Sequence, residues 1–181
     1  TLRYDLLGYA VRRLNSYPAI ATYLDGGHSG WHPAATMAAR LKKANVVGAR
    51  GFALNVSNYR TTGAEVSYGR AISGAIGWKR FVVDTSRNGL GPAPGGAWCN
   101  PAGRALGALP LTPVSDGLVD ALLWVKRPGE SDGECGRGEP AAGTFWPDYA
   151  IGLAGLAAWA SSPPHPSGRA SPRQRRPGRV G

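Results

Sequence analysis

Four short apolar runs, each closed by a polar residue and separated by helical stretches, constrain this chain most. The runs are AIATYL (19–24), closed by Asp25; GFALNV (51–56), with Asn55 near its end; RFVV (80–83), closed by Asp84; and DALLWV (120–125), closed by Lys126. Strands that are apolar throughout are buried on both faces, and strands alternating with helices form parallel sheets. In barrel-type folds the C-terminal strand ends carry the functional groups, so those four polar residues mark the face to inspect. Four strands do not close a barrel, and an open sheet of this kind leaves apolar edges bare. The expectation is an α/β fold, part of a larger barrel whose N-terminal strands are missing from this chain.

The helices read from the 3.6-residue period. Over residues 2–16, Leu2, Leu6, Leu7, Tyr9, Ala10, Val11 and Leu14 recur at helical spacing, with Arg3, Arg12 and Arg13 in solvent. Pro33 opens a helix to about Ala44, a first-turn position where proline is tolerated. Thr62-Gly63-Ala64-Glu65 has the form of a capping box and starts a helix to about Ile76. Pro147 opens the last, to about Trp159. The domain is taken as residues 1–160. Residues 161–181 are rich in Pro, Ser, Gly and Arg without apolar periodicity and are expected to be a disordered tail or linker.

That tail also dissects the charge. Its five arginines, Arg169, Arg173, Arg175, Arg176 and Arg179, account for half of the formal +10. The basic residues of the body are scattered and form no stripe, so no nucleic-acid partner is expected. The apolar run Tyr149–Trp159 is too short for a membrane span, and no membrane partner is expected. Cys99 and Cys135 lie in Gly/Pro-rich loops. They are two unrelated thiols or, better suited to such loops, a disulfide, which implies an oxidising compartment. No zinc-like spacing exists. His28 and His32 are four apart, but Gly30 and Pro33 break any helix through them and no third ligand follows, so no metal or cofactor is expected. Asp25, His28 and Ser29 hold a triad's residue types, but neighbours in sequence do not make a triad's geometry.

The loop after the fourth run, Lys126-Arg127-Pro128-Gly129-Glu130-Ser131-Asp132-Gly133-Glu134-Cys135, releases a lysine and three carboxylates from a strand end. Upstream, Asp84-Thr85-Ser86-Arg87-Asn88-Gly89 and Trp98-Cys99-Asn100-Pro101 form two more polar loops. Trp98 and Trp31 sit among loop residues with no core to enter. An exposed indole stacks well on the apolar face of a pyranose, so the pair reads as a sugar platform, with core packing the alternative. Trp78, Trp124, Trp146 and Trp159 lie in or beside regular elements and read as structural. Asp132 is a solvated loop carboxylate or a catalytic one. Asp84 and Arg87 read as a scaffold ion pair, with a brace for the active-site loop the alternative.

Six stretches carry a resemblance: YLDGGHSGWH (23–32), GFALNVSNY (51–59), VVDTSRNG (82–89), WCNPAGRALG (98–107), DGLVDALLWVKRPGESDGEC (116–135) and FWPDYAIGLA (145–154). In this order they resemble glycoside hydrolase family 6, the inverting β-1,4-glucanases that include endoglucanases and cellobiohydrolases. The match covers nearly all of residues 1–160 and only the C-terminal half or so of that catalytic domain. The resemblance implies a distorted seven-stranded parallel α/β barrel. It implies a secreted monomer acting on cellulose and related β-glucan chains by hydrolysis with inversion.

The resemblance also assigns roles. Asp132 matches the carboxylate at the cleavage subsite proposed as the base, and Lys126 and Glu130 match groups that hydrogen-bond sugar hydroxyls near the scissile bond. Trp31 and Trp98 match aromatic platforms, His28 and Asn55 polar contacts in the cleft, and Cys99 and Cys135 a disulfide joining two active-site loops. The family's general acid, in an Arg-Asp-Cys motif, and its Glu-Pro-Asp motif both precede the matched region and are absent from this sequence. A weak or inactive fragment of such an enzyme is therefore expected, and the alternative is a carbohydrate-binding remnant without catalysis.

Overall fold

The structure is a computed structural model that describes residues 1–112 and 114–160; the expected tail lies outside the described residues. Helix α1 (Leu2–Leu14) precedes strand β1 (Tyr23–Asp25), and α2 (Ala34–Lys43) leads to β2 (Gly51–Leu54). Helix α3 (Thr62–Ala75) leads to β3 (Arg80–Asp84), a long connection reaches β4 (Val119–Leu123), and α4 (Pro147–Gly155) closes the series. The sheet order is β1-β2-β3-β4, and all three pairings are parallel. This is the α/β partial barrel expected from the alternation.

Burial explains why the strands are apolar throughout. Phe52, Leu54, Phe81 and Val83 are fully buried, and the core continues through Val11, Leu41, Val46 and Ile72 from the helices and the turn before β2. Phe52 and Phe81 stack across β2 and β3 with centroids 5.3 Å apart. Each such ring contributes on the order of 2–3 kcal/mol by leaving water. Helix α3 lies close on the sheet because Gly69 faces Phe81, where a Cβ would come within 2.5 Å of the ring.

Several local expectations shift. Strand β1 starts four residues later than its apolar run, and of residues 19–22 only Thr22 bonds to the sheet, its carbonyl accepting from the Gly51 amide at 3.3 Å. Thr61, not Thr62, caps α3, its Oγ1 accepting from the Ala64 amide at 3.3 Å. Glu65 does not turn back to complete a box. It is fully buried, and its Oε1 accepts from the Ser29 amide at 2.9 Å. Trp124 and Trp159 are anchored by indole bonds to the Ala108 and Gly107 carbonyls, and Trp146 stacks on Tyr149. Trp78 has no such role and is exposed.

The two edges of the sheet differ. The outer side of β4 is capped by Leu111, which exchanges both backbone hydrogen bonds with Leu122. The outer side of β1 has no strand partner among the described residues. On α1, Leu2, Leu6 and Tyr9 form an exposed apolar stripe at helical spacing.

Candidate active site

All four strands deliver their C-terminal ends to one face, and each contributes a loop to it. The loop after β1 turns on Asp25, whose Oδ1 accepts from the Gly27 amide at 2.8 Å. It then presents His28 and Trp31, stacked with centroids 5.8 Å apart. Trp31 and Trp98 are 63% and 65% exposed. They border a cavity of about 410 Å³ whose walls include His28, Asn58, Tyr59 and Arg60. A second opening of about 500 Å³ shares Trp98 and holds Asp132 and Gly133 in its wall. The two openings share Ala97 and Trp98, so indole, cavity and carboxylate lie side by side on this face.

Asp132 is the chemical centre of that cleft. Its side chain is only 7% exposed, and Arg87, completely buried, donates from Nη1 to Oδ2 at 2.7 Å. The Asn100 amide donates to the same oxygen at 3.0 Å, and the Tyr59 hydroxyl stands 3.4 Å from it. Lys126 Nζ lies 3.5 Å from Oδ1. Burial alone would raise the pKa of this carboxyl. The Arg87 bond, the Asn100 amide and the charge of Lys126 outweigh it and hold the group below the usual carboxylate range. Asp132 is therefore held as the anion at neutral pH.

Arg87 is fixed as firmly as its partner. Its Nη2 donates to the Ser57 carbonyl at 2.8 Å, and its guanidinium carbon lies 4.6 Å from the centroid of the Tyr59 ring. Burial pushes the Tyr59 hydroxyl far above its ordinary value, against the opposing charge of Arg87, so Tyr59 remains a neutral donor. Arg87 does not pair with Asp84, as the scaffold reading expected. Asp84 accepts three backbone N–H groups instead, from Ser57 and Lys126 on Oδ2 (3.1 and 3.0 Å) and from Ser86 on Oδ1 (2.8 Å).

The loops after β3 and β4 are joined by side chain and by sulfur. Asn100 Oδ1 accepts from the Asp132 amide at 2.7 Å, and its Nδ2 donates to the Gly133 carbonyl at 2.7 Å. Cys99 and Cys135 form the expected disulfide, with Cα atoms 6.2 Å apart. Glu130 accepts from Arg127, and Lys126 Nζ stands 3.6 Å from it. The Arg127 bond and the two cations hold its pKa low. Lys126, Glu130 and Asp132 thus form one cluster, as the loop sequence suggested.

His28 is neutral in this setting, its pKa lowered by burial and by the nearby Arg60 charge. Its Nδ1 accepts from the Gly30 amide at 3.2 Å. His32 faces away, with Nε2 2.7 Å from Arg40. Among the described residues no group of three or more His, Cys, Asp or Glu side chains is placed to hold a metal ion.

Asn55 needs correction. It is fully buried, and both ends of its amide are used inside the protein: Nδ2 donates to the Asp84 and Arg60 carbonyls, and Oδ1 accepts from the Arg60 amide. It has no surface for a sugar. Asn58, three residues on, lines the cavity instead. Sequence reasoning also gave Arg87 the wrong partner and passed over Tyr59 and Asn100. Their only signal was position, each lying just past a strand end or beside a cleft cysteine.

The family model for glycosyl hydrolases family 6 matches residues 1–157. The chain belongs to that family. An endoglucanase A of Cellulomonas fimi is 49% identical over 158 residues, covering 87% of this chain and 34% of that protein. Endoglucanase 1 of Streptomyces halstedii is 48% identical over 140 residues, 74% of this chain and 42% of that one. Among solved structures, the endoglucanase Cel6 from Mycobacterium tuberculosis in complex with methyl-cellobiosyl-4-deoxy-4-thio-β-D-cellobioside superposes with a TM-score of 0.82. It is 58% identical, across 85% of this chain and 53% of that one. The chain thus spans about a third to a half of the length of these family 6 relatives.

Proposed function

We propose that this chain forms the part of a secreted family 6 β-1,4-glucan hydrolase that binds the sugar chain and supplies the anionic carboxylate of an inverting mechanism. A glucan lies along Trp31 and Trp98, whose exposed faces suit the apolar faces of glucose units. Lys126 and Glu130 hydrogen-bond the hydroxyls beside the scissile bond. Asp132, held as an anion by Arg87 and Lys126, faces the anomeric carbon. There it stabilises the positive charge that develops in an oxocarbenium-like transition state and orients the attacking water. The observation that carries this reading is the carboxylate with two cations and an amide on it at the floor of an aromatic cleft.

A carboxylate so held is a poor proton donor, and inversion needs a second carboxyl about 6.5–9.5 Å away. The one described carboxyl group with a raised pKa, Glu65, is buried against the Ser29 amide and has no face on the cleft. The proton donor is therefore assigned to sequence outside these 181 residues, and this chain alone is expected to be weakly active or inactive. That same observation favours the second reading, a carbohydrate-binding remnant. Hydrolysis of cellohexaose by the natural full-length protein, followed by proton NMR of the released anomer, separates the two. Early α-anomer supports inversion, early β-anomer refutes it, and binding without cleavage selects the remnant. The disulfide between Cys99 and Cys135 supports an oxidising, extracellular setting.

A further inference from the structure

Arg60 is built into the cleft with more care than a solvent-facing arginine requires. Its amide donates to Asn55 Oδ1 at 3.0 Å, and its carbonyl accepts from Asn55 Nδ2 at 3.1 Å and Asn88 Nδ2 at 2.9 Å. Both asparagines are buried. Two core side chains are thus spent on fixing the backbone of one residue, and a buried amide used this way is costly to misplace. The side chain then crosses the loop after β1 at Gly30. A Cβ there would fall 2.0 Å from Arg60 Nη2 and 2.6 Å from Nε, so only glycine lets the guanidinium lie on that backbone.

The guanidinium itself has no direct partner, its charge reaching the buried Glu65 carboxyl only from beyond ion-pair distance. Among the described residues it has no ion-pair partner within 4.0 Å and donates no hydrogen bond, although every other arginine lining the cleft region, Arg87 and Arg137 included, is paired. It lies in the wall of the cavity between Trp31 and Trp98, beside the neutral His28. Its donors form a rigid planar fork that spans two adjacent oxygens, unlike the point charge of a lysine.

We propose that Arg60 is a sugar-binding, specificity-determining residue whose guanidinium donates two hydrogen bonds to a vicinal pair of hydroxyls on the glucose unit held between Trp31 and Trp98. Neither the strand-end polar residues nor the carboxylate cluster includes it. The buried Asn55 acquires a purpose here, since it presents Arg60 without touching sugar. The inference rests on the glucan reading given above, and its test is arranged so that the two fail separately.

The experiment is titration calorimetry and steady-state kinetics on the natural full-length protein with cellohexaose. Variants are Arg60→Met, which keeps the stem packed on Gly30, Arg60→Lys, which keeps the charge, and Gly30→Ala, which displaces the guanidinium without altering it. Two lost charge-assisted hydrogen bonds correspond to roughly a hundred-fold or more in affinity. The expected result is a Kd and KM raised by about that factor in Arg60→Met and Gly30→Ala, with kcat within about two-fold and an unchanged melting temperature. Arg60→Lys recovers little. Unchanged Kd and KM in Arg60→Met, with wild-type protein binding cellohexaose normally, overturns the Arg60 assignment and leaves the glucan reading standing. Full recovery by Arg60→Lys overturns the two-hydroxyl geometry. Failure of the wild-type protein to bind cellohexaose at all overturns the glucan reading and the Arg60 assignment with it.

Discussion

Replacing Arg87 by methionine isolates what holds Asp132 in place. Methionine fills much of the stem volume and removes the guanidinium from Asp132 Oδ2, the Ser57 carbonyl and the Tyr59 ring. Breaking a buried pair by removing one partner costs about 3–5 kcal/mol, because the remaining charge stays desolvated. Two features place the loss near the lower end of that range. Lys126 remains 3.5 Å from Asp132, and Arg87 Nε is buried with no partner, so its own desolvation cost disappears with it. A loss of about 3 kcal/mol is expected from urea unfolding at pH 7. The linkage sign follows from the depressed pKa. Asp132 contributes stability above the ordinary aspartate value, and that contribution is lost as pH falls through its folded-state value. In Arg87→Met the folded pKa rises, since burial is now opposed only by Lys126 and Asn100. The gap between variant and wild type therefore narrows as the medium is acidified, and the acid limb of the activity profile moves to higher pH. A loss under about 1 kcal/mol, or an acid limb that does not move, would refute the reasoning.

Other perturbations probe the platform, the loop clasp and the buried acid. Trp31→Ala and Trp98→Ala remove exposed rings, so unfolding free energy should change by less than about 0.5 kcal/mol while cello-oligosaccharide affinity by calorimetry falls roughly ten-fold or more. Reducing the Cys99–Cys135 bond, or the double change to serine, frees a loop with a sequence separation of 36 and should cost about 3–4 kcal/mol in denaturant unfolding. Glu65 has a raised pKa from burial, its Oε2 without a partner. Its folded form holds the proton more tightly than the unfolded chain does, so stability declines as pH climbs above the ordinary glutamate value. Glu65→Gln should remove that decline in melting temperature as pH climbs above about 4.5.

The parts of the fold that depend on neighbours in sequence were legible in it. Continuous apolar runs located all four strands and the 3.6-residue period all four helices, because each must bury its apolar surface whatever surrounds it. The polar closures Asp25, Asn55, Asp84 and Lys126 marked the correct end of the sheet. Partners far along the chain escaped. Arg87 and Asp132 are 45 residues apart, and Glu65 meets Ser29 across 36. Local grammar offered each a nearer, wrong partner: Asp84 for Arg87 and a capping box for Glu65. Asn55 carried the composition of a ligand contact, and only its burial reveals that its amide is spent on Arg60.

Asp84 holds three loops together while reading nothing of their chemistry. Its carboxylate takes the amides of Ser57, Ser86 and Lys126, one from each of three strand-end loops, and none of their side chains. Any residue but proline supplies the same amide. The frame therefore rests on where these three backbones lie, with Ser57 at a left-handed φ of 61° and Ser86 fully buried. One carboxylate thus keeps three strand-end loops in register, and moving it would shift all three at once.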